Sequence, residues 1–178
     1  MAKTVALLRG INVGGARRVA MADLRELLTS NGHTNVSTLG QSGNAVFTAR
    51  GAAGAGLARE IEESIEGRLG FRVSVLVRTA RELAIIVAGN PLPQAAADPS
   101  RFHVAFLSEN PAGEHVASLD PSLFEPDQFR FADRAVYVWY RNGILESKLP
   151  YVWEKRLGVT STSRNWNTVT RLAEMSAG

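Results

Sequence analysis

Val5–Gly15 reads VALLRGINVGG, a short apolar run that breaks into Arg9, Asn12 and three glycines. An apolar run this short, bounded by glycine, suits a buried strand. Glycine supplies the positive backbone angles that a tight loop needs. The stretch therefore reads as a buried strand feeding a polar, glycine-hinged loop, and the rest of the chain is organised around it. Gln41–Asn44 (QSGN) and Thr160–Asn167 (TSTSRNWN) share the habit: each packs uncharged hydrogen-bonding residues at the edge of an apolar element.

Downstream, Met21, Leu24, Leu27 and Leu28 recur at helical spacing and Asn31-Gly32 supplies a stop, predicting a helix over 21–31. Residues 35–41 and 45–48 read as strands joined through a tight turn at Gly43. Leu57, Ile61, Ile65 and Leu69 define a second helix ended by Gly70, with Glu60, Glu62, Glu63 and Glu66 on its solvent side. Phe71, Val73, Val75 and Val77 alternate with Arg72, Ser74, Leu76 and Arg78 as a strand. Strand, helix, strand, strand, helix, strand is the split β-α-β order of a ferredoxin-like half. Thr79 and Glu82 then have the spacing of a capping box for a third helix running to Ala88.

Pro91, Pro93 and Pro99 mark residues 90–100 as a linker. Beyond it, Phe102–Leu107 reads as a strand, Gly113–Ser118 as a short helix, and Gln128–Phe131 with Val136–Tyr140 as paired strands around Asp133. A helix over 150–157 and a last one marked by Trp166, Val169 and Leu172 follow. The element order repeats that of the first half, without a clear final strand. The expected fold class is α+β: two ferredoxin-like subdomains packed together, residues 1–89 and 101–178, joined by the linker and closed by an extra C-terminal helix.

The 178 residues, 45% hydrophobic and 21% charged, are ordinary for a globular protein. With no cysteine there is no disulfide, thiolate metal site or cysteine nucleophile. Met1–Leu8 is too short for the apolar region of a signal peptide, and no apolar run approaches a membrane span of ~20 residues. A cytoplasmic, non-membrane protein is expected. The net charge is only +3, but residues 1–22 and 147–171 each carry +4. If those ends meet, they form an electropositive site. Against this, seventeen of the twenty basic residues are arginine, a bias that a GC-rich genome also produces on a solvated surface.

RGINVGG, the helix MADLRELL, QSGN and the closing SRNWNTVTRL together resemble the bacterial family known as domain of unknown function 1697. The resemblance runs in order along nearly the whole chain. It implies an α+β fold with two ferredoxin-like subdomains and names no activity. The family pattern carries over to Arg9, Gly10, Asn12, Gly14 and Gly15, to Gln41, Ser42, Gly43 and Asn44, and to Arg164, Asn165, Trp166, Asn167 and Thr168. Lysine is common in the family where this chain has Arg17, Arg18 and Arg171.

The glycines of Arg9–Gly15 suggest a phosphate cradle, yet the P-loop pattern is missing and the next helix starts about six residues later. A tight turn with Asn12 bonded to local backbone is the alternative. Arg9 follows directly on a buried strand, where open sheets place ligand sites. GQSGN fails the G-x-S-x-G pattern at Asn44 and lies between strands, which excludes a standard serine hydrolase elbow. Gln41 and Asn44 either bond backbone or offer amides to a ligand. Thr160–Thr168 sets hydroxyls and Arg164 at a helix start, suited to capping or to holding an anion. His33, His103 and His115 are too scattered for a metal site, and His33 reads as solvated in its turn. Tyr137, Trp139 and Tyr140 suit either burial or base stacking.

The functional expectation is a small phosphate-bearing ligand held by Arg9, Asn12, Gly14, Gln41, Ser42, Asn44, Ser163, Arg164, Asn165 and Thr168, without metal or cofactor. The alternatives are RNA binding, suggested by a pI near 9.7, and a protein-interaction module without catalysis.

Overall fold

A computed structural model of the chain describes residues 3–178. Met1 and Ala2, with which the first expected subdomain opens, lie outside the described residues. The chain divides into two compact units: one runs to Ala88 and is rejoined by Thr170–Gly178, the other is Gly89–Val169.

In the first unit the elements are β1 (Lys3–Leu8), α1 (Met21–Ser30), β2 (Thr34–Leu39), β3 (Asn44–Thr48), α2 (Ala55–Leu69), β4 (Val75–Thr79) and α3 (Ala80–Ala88). The strands form one antiparallel sheet in the order β2-β3-β1-β4. Because strand side chains alternate, Ala6 and Leu8 of β1, Ala45 and Phe47 of β3 and Val75 and Val77 of β4 share a face. They pack with Leu24 and Leu28 of α1 and Ile61 and Ile65 of α2. The opposite-facing Val5, Leu7, Val46 and Leu76 are also buried, so the central strands lack a solvated face. Glu82 accepts from the Thr79 backbone N–H at 2.7 Å and Thr79 Oγ1 accepts from Glu82 N–H at 3.2 Å, completing the capping box of α3.

The second unit holds a 3-10 turn (Pro93–Ala97), then β5 (Phe102–Leu107), α4 (Gly113–Ala117), β6 (Gln128–Ala132) and β7 (Ala135–Trp139). A short helix α5 (Leu149–Tyr151) runs into a π-helical stretch (Val152–Arg156), followed by β8 (Ser161–Asn165) and the first turn of α6 (Trp166–Ala177), whose remainder from Thr170 belongs to the first unit. Its sheet is antiparallel, ordered β6-β7-β5-β8, so the two units repeat one strand order. Ala105, Leu107, Phe129, Val136 and Val138 pack around Trp153. The buried Trp153 Nε1 donates to Tyr140 Oη at 3.3 Å, which satisfies the indole inside the core.

Three local expectations are corrected. The second unit has its final strand: β8, with the sequence STSRN, pairs with β5 from His103↔Asn165 to Leu107↔Ser161. Those residues lack apolar alternation, and the open edge of β5 supplies the partners for their backbone groups. The strand expected over 71–78 begins only at Val75, whose N–H donates to Glu62 Oε1 at 2.8 Å. Leu76 and Arg78, which alternate with its apolar set, are buried as well. His33, expected in solvent, is 2% exposed. Its ring lies 4.9 Å from that of Phe47, and its Nδ1 accepts from the Arg50 backbone N–H at 3.1 Å.

No helix among the described residues is long and apolar enough to cross a membrane.

Candidate functional site

The loop after β1 is built by one side chain. Asn12 Nδ2 donates to the carbonyls of Val19 at 2.9 Å and Gln41 at 2.6 Å, while Asn12 Oδ1 accepts from Val19 N–H at 2.9 Å. Both ends of the loop and the β2–β3 turn are thereby tied to one amide. Within the loop, Gly14 and Gly15 have φ of 62° and 80°, and Val13 and Ala16 pair across them through an Ala16 N–H to Val13 O bond of 3.4 Å. Two successive positive φ values are what a two-residue type I′ hairpin turn requires. The glycine pair therefore makes a small finger with Val13 exposed at its corner. Asn12 itself sits at φ 56° and Arg17 at 49°, left-handed conformations that Asn tolerates well and Arg rarely adopts.

The QSGN turn meets this loop from the hairpin. Gly43 O accepts from Leu8 N–H at 2.8 Å. A Cβ on Gly43 would lie 2.6 Å from Leu8 Cβ and 2.8 Å from Ile11 Cδ1, at a φ of +84°. Only glycine fits there. Asn44 is buried and donates to Leu39 O at 3.0 Å, closing the turn. Gln41 and Ser42 face solvent.

Asn12, Gly15, Arg18 and Gln41 line a recess of about 260 Å³. Arg17 and Arg18 are exposed and have no carboxylate partner among the described residues. Residues 1–22, which supply Asn12, Gly15 and Arg18 of this lining, contain no acid. Arg9 is half-buried, its backbone N–H bonded to Ser74 O at 2.9 Å. Arg17 and Arg18 were not among the predicted site residues. The signal for them was the unbalanced charge of the first 22 residues.

The remaining predicted residues lie on β8 and the start of α6. Arg164 is 7% exposed and donates to Thr162 Oγ1 and to the carbonyl of Ser163, both at 2.9 Å. Burial lowers its pKa to about 10, so it stays charged at neutral pH. Asn165 Oδ1 accepts from Thr168 N–H at 3.0 Å, the bond of an N-cap side chain to the first turn of α6. The structure thus brings Asn12, Gly14, Gln41, Ser42 and Asn44 to one corner of the first unit. Ser163, Arg164, Asn165 and Thr168 form a strand-to-helix junction in the second. Tyr137 and Tyr140 are buried, while Trp139 is partly exposed beneath Arg141, whose guanidinium carbon lies 4.1 Å from the ring centroid. Among the described residues no group of His, Asp or Glu is arranged to hold a metal ion.

Residues 1–137 match the model of the family described as "Protein of unknown function (DUF1697)". No curated protein matches the chain. Among solved structures, that of the conserved bacterial protein SP0830 from Streptococcus pneumoniae is similar, with a TM-score of 0.78 over 98% of each chain and 24% sequence identity. That likeness establishes the α/β architecture.

Proposed function

We propose, for a chain that belongs to the DUF1697 family of proteins of unknown function, that it binds a small phosphate-bearing ligand at the loop-and-turn corner of its first unit. The observation that carries this reading is a recess lined by Arg18 of the Asn12-braced loop and by Gln41 of the β2–β3 turn, with Arg17 and Arg18 lacking carboxylate partners among the described residues. Arginine presents a planar fork of donors that matches phosphate oxygens. The Gln41 amide and the exposed Ser42 hydroxyl supply neutral contacts to the rest of the ligand, and Arg9, in the same loop as Arg18, adds to the positive charge. A loop fixed before binding loses little entropy on binding. Asn12 and Asn44 serve by shaping the corner, since their amides are engaged with backbone. Residues Ser163, Arg164, Asn165 and Thr168 remain in the proposal as a second polar group, subordinate to the first.

We also read each sheet, with its repeated order, as a ferredoxin-like fold, and the protein as the product of a duplication. An absence of cysteine fits a reducing cytosol. RNA binding is the second reading, favoured by the pI of 9.7 and by Arg17 and Arg18. What weighs against it is burial: ferredoxin-like RNA binders stack bases on exposed aromatics of the central strands, whereas β1, β3, β5 and β7 are buried over nearly their whole length.

The test is a thermal-shift screen against inorganic phosphate, nucleotides, sugar phosphates and short RNA at low and moderate salt. A ligand at 100 times its dissociation constant adds about 2.7 kcal/mol. A shift with a phosphorylated small molecule that disappears in Arg18→Ala supports the reading; a flat screen removes it.

A further inference from the structure

The second unit carries a surface of opposite character. A recess of about 220 Å³ is lined by Leu123, Phe124 and Pro126 together with Glu125, Asp127 and Glu146, and Lys148 is its one basic lining residue. Leu123 on its wall is 74% exposed, and Leu145, next to the lining residue Glu146, is 95% exposed. Residues 102–129 contain five carboxylates and no lysine or arginine. Glu125 and Glu146 have no cationic partner among the described residues. Leucines left this open to water beside unpaired carboxylates are the makings of an interaction surface.

The occupant such a surface selects has a small apolar tip with arginines beside it. This chain displays one. Val13, 70% exposed, stands at the corner of the Gly14-Gly15 finger, with Arg17 and Arg18 following. The finger is held by Asn12, so it needs no ordering to dock. We propose that the finger of one copy of the chain docks into the recess walled by Leu123, next to the exposed Leu145, of another copy. Val13 would meet the leucines, while Arg17 and Arg18 face Glu125 and Glu146. The two surfaces differ, so the contact is heterologous, and repeated contacts either close into a ring or extend as a chain. A finger of this size buries less than the about 1,200 Å² of a standard interface, which makes the association transient and responsive to salt.

Sedimentation velocity on the full chain tests this. The weight-average mass should rise with concentration at low salt and return to the monomer value at high salt. Glu125→Arg/Glu146→Arg and Arg17→Glu/Arg18→Glu should each be monomeric alone, because finger and recess then carry like charge. A one-to-one mixture of the two should associate again, since each finger finds a recess of opposite sign. These positions are solvent-exposed, so circular dichroism should show both variants folded. Leu145→Asp should also stay monomeric while keeping any shift with inorganic phosphate, which separates this contact from the ligand site. A wild-type protein that remains monomeric throughout at low salt, or association that survives the charge reversals, overturns the proposal.

Discussion

The side-chain amide of Asn12 donates to the main-chain carbonyl of Gln41 at 2.6 Å, joining the loop after β1 to the β2–β3 turn 29 residues away. The same nitrogen reaches Val19 O, so one residue sets the shape of the corner. Asn12→Ala removes both donors and places a Cβ residue without a local amide at φ 56°. A loss of about 1–3 kcal/mol in urea unfolding is expected. Asn12→Gly relieves the backbone and isolates the hydrogen bonds; a variant as stable as wild type would show that the amide is dispensable.

Gly43 and Gly40 both lie at positive φ in the same turn, +84° and +63°, but only Gly43 has neighbours where a Cβ would go. Gly40→Ala should cost about 1–2 kcal/mol, the left-handed penalty alone. Gly43→Ala adds a 2.6 Å encounter with Leu8 Cβ in the core and should cost at least about 1 kcal/mol more. Equal unfolding midpoints for the two variants would contradict the packing described.

Burial lowers the pKa of His33, and Glu60, whose Oε1 lies 3.8 Å from Nε2, offsets this only in part. Arg50, also near, acts in the lowering sense, and its backbone N–H occupies Nδ1, leaving that nitrogen no place for a proton. The folded protein therefore takes up the proton less readily than the unfolded chain. The stability that His33 contributes is complete above its ordinary value of 6.5 and is lost as pH falls from there through the lowered value, with a slope of at most about 1.4 kcal/mol per pH unit. His103 is lowered by burial too and acts in the same direction. Urea unfolding of wild type and His33→Gln at pH 7.5 and at about 5.5 checks this: the gap between them should narrow in acid, and a constant gap would refute it.

Removing either half of the α3 capping box should cost about 1 kcal/mol. Since Thr79 and Glu82 bond reciprocally, Thr79→Ala/Glu82→Ala should cost less than the two single losses together. Full additivity in the double-mutant cycle would show that they act separately.

For the proposed ligand site, Arg18→Ala should weaken phosphate-bearing ligands at least about tenfold, the weight of one charge-assisted hydrogen bond. Its unfolding midpoint should not move, because Arg18 is exposed. Titration calorimetry with the ligand found in the screen reads the first quantity, and urea unfolding the second.

Most elements were legible in the sequence because their signals are local. The apolar spacing of Met21, Leu24, Leu27 and Leu28 is itself the buried face of α1, and Gly70 stands at the helix end it was read to mark. The recurrence of strand and helix along the chain likewise anticipated a mixed fold with two sheets. By itself the sequence also determined that a polar, glycine-hinged loop follows the first strand and that positive charge gathers before residue 22. Tertiary structure alone decided the rest. STSRN becomes a strand because β5 has an open edge, a fact about pairing with residues as far back in the chain as His103, the partner of Asn165, not about local pattern. His33 and Arg164 are polar residues whose burial depends on what the remainder of the chain lays over them. Asn12 looks like any loop asparagine until folding brings Val19 and Gln41 within reach of its amide. Local periodicity reports which side of an element is apolar; only the assembled chain fixes which polar groups lose their water and must find partners within the protein.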